Sequence, residues 1–196
     1  MPHRNRVTPY GDIVASPLRG SWMGNRGCIH RDHDIVRAWN GRRWIICALE
    51  FKGWIAPRWE PGRWTALFFH DEAVALAAGH RPCALCRRAD YERFRAAFGG
   101  GSADDIDARL HADRVDGRSK RLHEEPWADL PSGVFVDRDG AAALVLDTGL
   151  HPWSSEAGYG SRVESRPRSG LATVITPAAT VAALRAGYRP QHDVSG

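Results

Sequence analysis

The sequence predicts an α+β fold of two similar strand–helix halves, with a structural zinc site in the first. Three observations carry this reading. Strand-like runs gather toward both ends of the 196-residue chain, and helical, charged segments lie between them. A strand–helix–Gly-x-Arg-Pro pattern occurs twice, Glu72 to Pro82 matching Thr180 to Pro190 at six of eleven positions. Only the first copy runs on into Cys83-Ala84-Leu85-Cys86, two thiols spaced for a metal-chelating turn.

Composition sets the outer limits. Hydrophobic content of 43% and charged content of 26% describe an ordinary globular chain, one large domain or two small ones. No apolar run approaches the roughly 18 residues of a membrane span, so no membrane partner is expected. The start, Met1 to Arg6, lacks the apolar core of a signal peptide. Four cysteines without an export signal then point to reduced thiols in a cytoplasmic setting. The formal charge of +4 is carried almost entirely by arginine. Guanidinium pairs two-pronged with phosphate, which suits a nucleic-acid or nucleotide partner. GC-rich coding would produce the same arginine, alanine and glycine bias.

Taken in order, residues 1–9 are polar and read as loose, and Asp12 to Ala15 is strand-like. Arg19 to His30, with three glycines and an asparagine, reads as a structured loop leading into a hairpin. Arg43 to Phe51 and Trp64 to Phe69 read as strands. Asp71 caps a helix from Glu72 to Ala78 and Gly79 closes it. Arg87 to Phe98 forms a second helix, with Tyr91, Phe94 and Phe98 on one face. Ser102 and Asp105 resemble a capping box for a third helix, Ala103 to Leu110. Asp113 to Arg121 reads as a linker. Gly133 to Asp137 and Ala141 to Asp147 flank a hairpin turn at Arg138-Asp139-Gly140. Gly158 to Gly170 is loop-like. Leu171 to Ile175 is a strand, and Thr176 caps a last helix with Pro177 at its first position, ending at Gly187. The division that follows is 1–101 as the zinc-binding half, 102–128 as a helical and basic connector, and 129–196 as the metal-free half.

Cys83 and Cys86 are the first metal ligands, since soft thiolates in a turn favour tetrahedral zinc. A thioredoxin-like redox pair is the rival, and the strand-to-helix context it needs is missing. The remaining ligands come from Cys28, His30, His33 and Cys47.

Phe68 to Arg88, FFHDEAVALAAGHRPCALCRR, resembles the zinc domain of Ada-type alkyl-DNA repair proteins over about a third of the chain. There a strand and an Ala-rich helix lead into Gly-aromatic-Arg-Pro-Cys-x-x-Cys-Arg. The first cysteine pair of those proteins, which carries the methyl acceptor, has no counterpart here, so methyl transfer is not expected. The whole chain also resembles an uncharacterised bacterial family sharing Arg-Gly-x-x-Met-Gly-Asn-Arg-Gly, Trp-Ile-x-Cys and the Gly-His-Arg-Pro-Cys turn. That pattern favours His30 and Cys47, with Cys28 or His33 able to replace Cys47. The resulting set is His30, Cys47, Cys83 and Cys86.

Zinc nucleoside deaminases show a similar order, Cys-Ala-Glu followed by Pro-Cys-x-x-Cys, which makes Glu50 the proton shuttle if the zinc is catalytic. Here Glu50 stands three residues beyond Cys47 rather than two, and the segment reads as a strand. A closed four-ligand site is structural. Arg26, Arg31, Arg81, Arg87 and Arg88 would then gather around it to bind phosphate, with Trp22 and Trp44 available to stack on bases. Pairing of those arginines with Asp32, Asp34 and Asp90 is the bland counterpart. An interaction module without a nucleic-acid role is a third possibility. Asp107, His111, Asp113 and Arg114 form a hydrolase-like set, and His151 to Gly160 reads as a pocket-forming loop.

Overall fold

The computed structural model describes residues 2–194. The chain opens with β1 (Arg4–Val7), β2 (Ile13–Ala15) and β3 (Trp22–Asn25), then a ribbon of β4 (His30–Arg31) and β5 (Asp34–Ile35). Next come β6 (Ile45–Cys47), a ribbon of β7 (Glu50–Phe51) and β8 (Trp54–Ile55), and β9 (Leu67–Phe69). Helix α1 (Glu72–Ala77), strand β10 (Arg81–Pro82), and helices α2 (Arg88–Ala97) and α3 (Ala103–Arg114) follow. A ribbon of β11 (Val115–Asp116) and β12 (Ser119–Lys120) leads to β13 (His123–Pro126), β14 (Phe135–Arg138) and β15 (Ala141–Leu146). Strands β16 (Gly149–Ser154), β17 (Gly158–Tyr159) and β18 (Leu171–Val174) precede helix α4 (Ala178–Arg185).

The α+β class is realised as two six-stranded sheets, and the cysteine turn lies in the first half. The first sheet runs β10-β6-β3-β9-β1-β2 and is mixed, with β1–β9 and β10–β6 parallel. The second runs β13-β18-β14-β15-β16-β17 and is antiparallel throughout. The halves therefore pair their strands differently, although α1 and α4 are each followed by a glycine at positive φ, Gly79 at 92° and Gly187 at 107°. Helix α1 is buried along its whole length and packs against both β9 and β14. Four of its six residues are alanine or valine, small enough for this close approach. The main core cluster draws on both ends of the chain, from Val7 to Tyr188.

Local chemistry explains the element ends. The Asp71 carboxylate accepts the Val74 amide at 2.8 Å, capping α1. Ser102 and Asp105 form the reciprocal capping box that opens α3. Asp139 and Gly140 both take positive φ, as a two-residue turn between β14 and β15 requires.

Five expectations change, the first being that His151 to Gly160 is not a pocket-forming loop but runs through β16 and β17. Residues 4–7 are not loose: β1 sits between β9 and β2, with Asn5 and Val7 turned inward. The polar side chains hid it, since Arg6 is satisfied by the Leu18 carbonyl at 2.9 Å. The Gly-rich segment contributes β3, a strand interior to the first sheet. The expected linker is the end of α3 followed by the β11–β12 ribbon. Thr176 does not cap α4; its hydroxyl accepts the Phe135 amide, and Asp113 accepts the Ala179 amide at the helix start instead.

Gly24 shows why β3 needs glycine. It lies between β6 and β9, and an added Cβ would collide with the Ile45 carbonyl oxygen and stand 2.8 Å from the Phe69 ring. Gly24→Ala is expected to cost about 3 kcal/mol of stability. A urea titration reads this as a lower midpoint at unchanged slope, and an unaltered midpoint would refute it.

Candidate metal centre

The metal-binding candidates meet because of strand register. Strands β6 and β10 run parallel, with Ile45 opposite Arg81 and Ile46 opposite Pro82. The next residues along are Cys47 and Cys83, which are therefore neighbours. The Cys83 amide donates to the Ile46 carbonyl at 2.9 Å, and the Arg87 amide returns to the Cys83 carbonyl at 3.1 Å. That turn brings Cys86 back beside the other two. The three sulfurs lie within 4.8 Å of one another.

This spacing fits a tetrahedral ion, since zinc–sulfur bonds of about 2.3 Å place sulfurs about 3.8 Å apart. Backbone amides support the sulfurs as negative acceptors. Leu85 N–H donates to Cys83 and Ala48 N–H donates to Cys86, both at 3.4 Å. Hydrogen bonds from Cys47 and Cys86 hold the Cys83 thiol well down, while those with Cys83 and Cys86 push Cys47 far up. Three adjacent thiols cannot all ionise alone, so they share protons until a cation displaces them. Three cysteines so placed could hold a metal ion.

Comparisons with protein-family models, with curated proteins and with solved structures find no match to this chain. The site must be read from its own chemistry.

His30 stands outside the thiol group. The Thr65 hydroxyl accepts the Ile29 amide at 3.0 Å and meets His30 Nδ1 at 2.6 Å. His30 Nε2 is buried and, among the described residues, without a hydrogen-bond partner. The ring meets Trp59 edge-on, and His33 packs on the same indole. Cys28 and His33 are likewise not part of the three-sulfur group. Glu50 is exposed in the β7–β8 ribbon and not part of that group.

The five arginines do not form one shared surface. Arg81 is buried in a two-pronged pair with Asp107, at 2.9 and 2.7 Å. Arg87 is buried over the Trp22 ring and pairs with Glu72 at 2.8 Å and Asp90 at 2.6 Å. Burial opposes its charge, but the two carboxylates outweigh that and raise its pKa. Arg88 is exposed and bonded to Glu92, and Arg31 is exposed. Arg26 is buried elsewhere, stacked 4.0 Å from the Trp44 ring centre beside Arg114. The sequence reading did not group Arg26 with Arg114 and Lys120, because charged residues this far apart give no periodic signal. Of the remaining candidates, His111 Nδ1 contacts Arg114 at 3.0 Å and His151 contacts the Thr148 hydroxyl at 2.8 Å. Trp153 donates its indole N–H to His70.

Proposed function

We propose that this chain is a zinc-binding protein in which the metal is structural and the ligand is a nucleic acid or nucleotide. The convergence of Cys47, Cys83 and Cys86 on adjacent strand ends carries the zinc half. All-sulfur coordination selects a soft, tetrahedral ion. Three thiolates would leave bound zinc with net negative charge, and water on such an ion is a weak acid. No carboxylate among the described residues joins the group to act as its base. Both points favour holding structure over hydrolysis. In that role the ion ties the edge strand β10 and its neighbour β6 to the turn that starts α2.

The polyanion half rests on the formal charge of +4 and its arginine character. Protein purified without chelator is expected to contain about one zinc per chain; a metal-free, fully folded product would refute the centre. Single-stranded oligonucleotide binding is expected to fall steeply with salt. No binding at low salt would remove that half.

A catalytic zinc is the second reading, favoured by the fact that three protein ligands converge rather than four. It requires Glu50 as proton shuttle, so Glu50→Gln is expected to abolish hydrolysis of a nucleobase or nucleotide under this reading and to change neither zinc content nor stability under the structural one.

A further inference from the structure

A second polar site lies away from the thiols, where two buried guanidiniums sandwich one indole. Arg26 and Arg114 stack on Trp44 at 4.0 and 3.9 Å, and they are 2% and 0% exposed. Among the described residues neither forms an ion pair with a carboxylate. Arg26 donates to the Gly11 carbonyl and to His80 Nε2, and Arg114 donates to the Gly79 and Arg42 carbonyls. Lys120 joins them, donating to the Ala77 carbonyl. Arg26 Nη2 and Arg114 Nε remain buried without any partner. His80 adds no negative charge. Burial and the two guanidiniums push its pKa well down, and it accepts from Arg26 as a neutral ring.

These cations line a cavity of about 400 Å³, with Arg118 exposed at its wall and Trp39 beside them. Asp12 is the single acid on that wall, and it forms no ion pair with them among the described residues. Unpaired buried charge is costly, and a protein normally pairs or neutralises it. Burial lowers Arg26 and Arg114 to about 9 each. The arrangement is what an anion completes: converging donors, a low-dielectric wall, and aromatic surface at the side.

We propose that this cavity binds the phosphate monoester of a nucleotide, with Lys120 and Arg118 contacting the phosphate over the buried positive charge of Arg26 and Arg114, and the base resting toward Trp39. The volume accommodates a nucleoside monophosphate rather than a bare ion alone. This deepens the nucleotide half of the function proposed above and is independent of the zinc half. A free nucleotide and the phosphorylated end of a nucleic acid share this chemistry.

The test is calorimetric titration of the full, zinc-loaded chain with inorganic phosphate, 5′-AMP, adenosine and a 5′-phosphorylated or unphosphorylated dinucleotide, at matched ionic strength. Saturable phosphate binding is expected, and AMP is expected to bind more tightly than phosphate. Lys120→Met and Arg118→Ala are expected to weaken phosphate roughly 10- to 100-fold. Lys120 is chosen because its ammonium has one protein partner, the Ala77 carbonyl. Burial and the neighbouring Arg26 and Arg114 push its pKa well down, so its replacement is expected to leave the ligand-free chain at least as stable as the original. Phosphate heat no different from chloride, or equal phosphate affinity in the original chain and Lys120→Met, overturns the site. Phosphate binding without any gain for AMP keeps the anion site and overturns the nucleotide assignment. A preference for the phosphorylated dinucleotide over AMP identifies a strand end as the source.

Discussion

Cys83→Ser is expected to abolish zinc retention and lower the melting temperature by roughly 10 °C or more. Cys83 joins the edge strand β10 to the rest of the centre, and its sulfur lies within 4.8 Å of both other thiols. Binding at a structural zinc site is worth about 10 kcal/mol or more at neutral pH. That is comparable with the whole stability of a domain, about 5–15 kcal/mol. Losing even part of it should free the β10 turn and the start of α2. Leu85→Ser is the matched control, because Leu85 sits in the same turn with 72% of its surface exposed. Metal analysis and calorimetry should separate the two variants. Full zinc content and an unchanged melt for Cys83→Ser would refute a ligand role.

Glu72→Ala is expected to cost about 3–5 kcal/mol, the range for breaking a buried ion pair. Its carboxylate accepts from Arg87 at 2.8 Å, from the Tyr188 hydroxyl at 2.6 Å and from the Gln191 amide at 3.1 Å. Alanine would leave a buried guanidinium with Asp90 alone and two further donors unsatisfied. The double change Glu72→Met with Arg87→Met removes both charges and should recover most of the loss. Urea unfolding of the original chain, Glu72→Met, Arg87→Met and the double change forms the cycle, with Glu72→Ala read beside it. A single-variant cost below about 1 kcal/mol would show that the pair contributes little.

The legible parts of this molecule are those whose chemistry is local. Asp71, Ser102 and Asp139-Gly140 announced their caps and turn because each acts on a backbone group within three residues. Cys83 and Cys86 were plain for the same reason. Cys47 needed a parallel strand pairing across more than thirty residues, which single-sequence spacing does not encode, and a family resemblance pointed to it. Polar burial was the larger blind spot. Asn5 and Arg6 concealed β1 because an inward-facing asparagine breaks the apolar alternation that marks strands. The local Arg87–Asp90 pair was legible, but Arg81 and Arg87 read as surface charge because Asp107 and Glu72, which bury them, are far away in sequence. The Arg26–Trp44–Arg114 stack is invisible for a further reason: it joins three segments through carbonyls, which no side-chain pattern records.

The ties to α1 also bear on the order in which this chain can be completed during synthesis. The Tyr188 hydroxyl and the Gln191 amide reach Glu72 across separations of 116 and 119 residues, and the Asp193 amide reaches Asp71 across 122. A central helix emerges early, yet its N-terminal carboxylates gain their last partners only after translation has run far past it. Until then Glu72 and Asp71 keep only their early partners, Arg87 and the Val74 amide, and the rest of each carboxylate faces water or a chaperone. Such long-range closure slows folding and prolongs exposure of the first sheet. Nascent chains halted before Tyr188 should therefore stay protease-sensitive around α1 even with zinc bound.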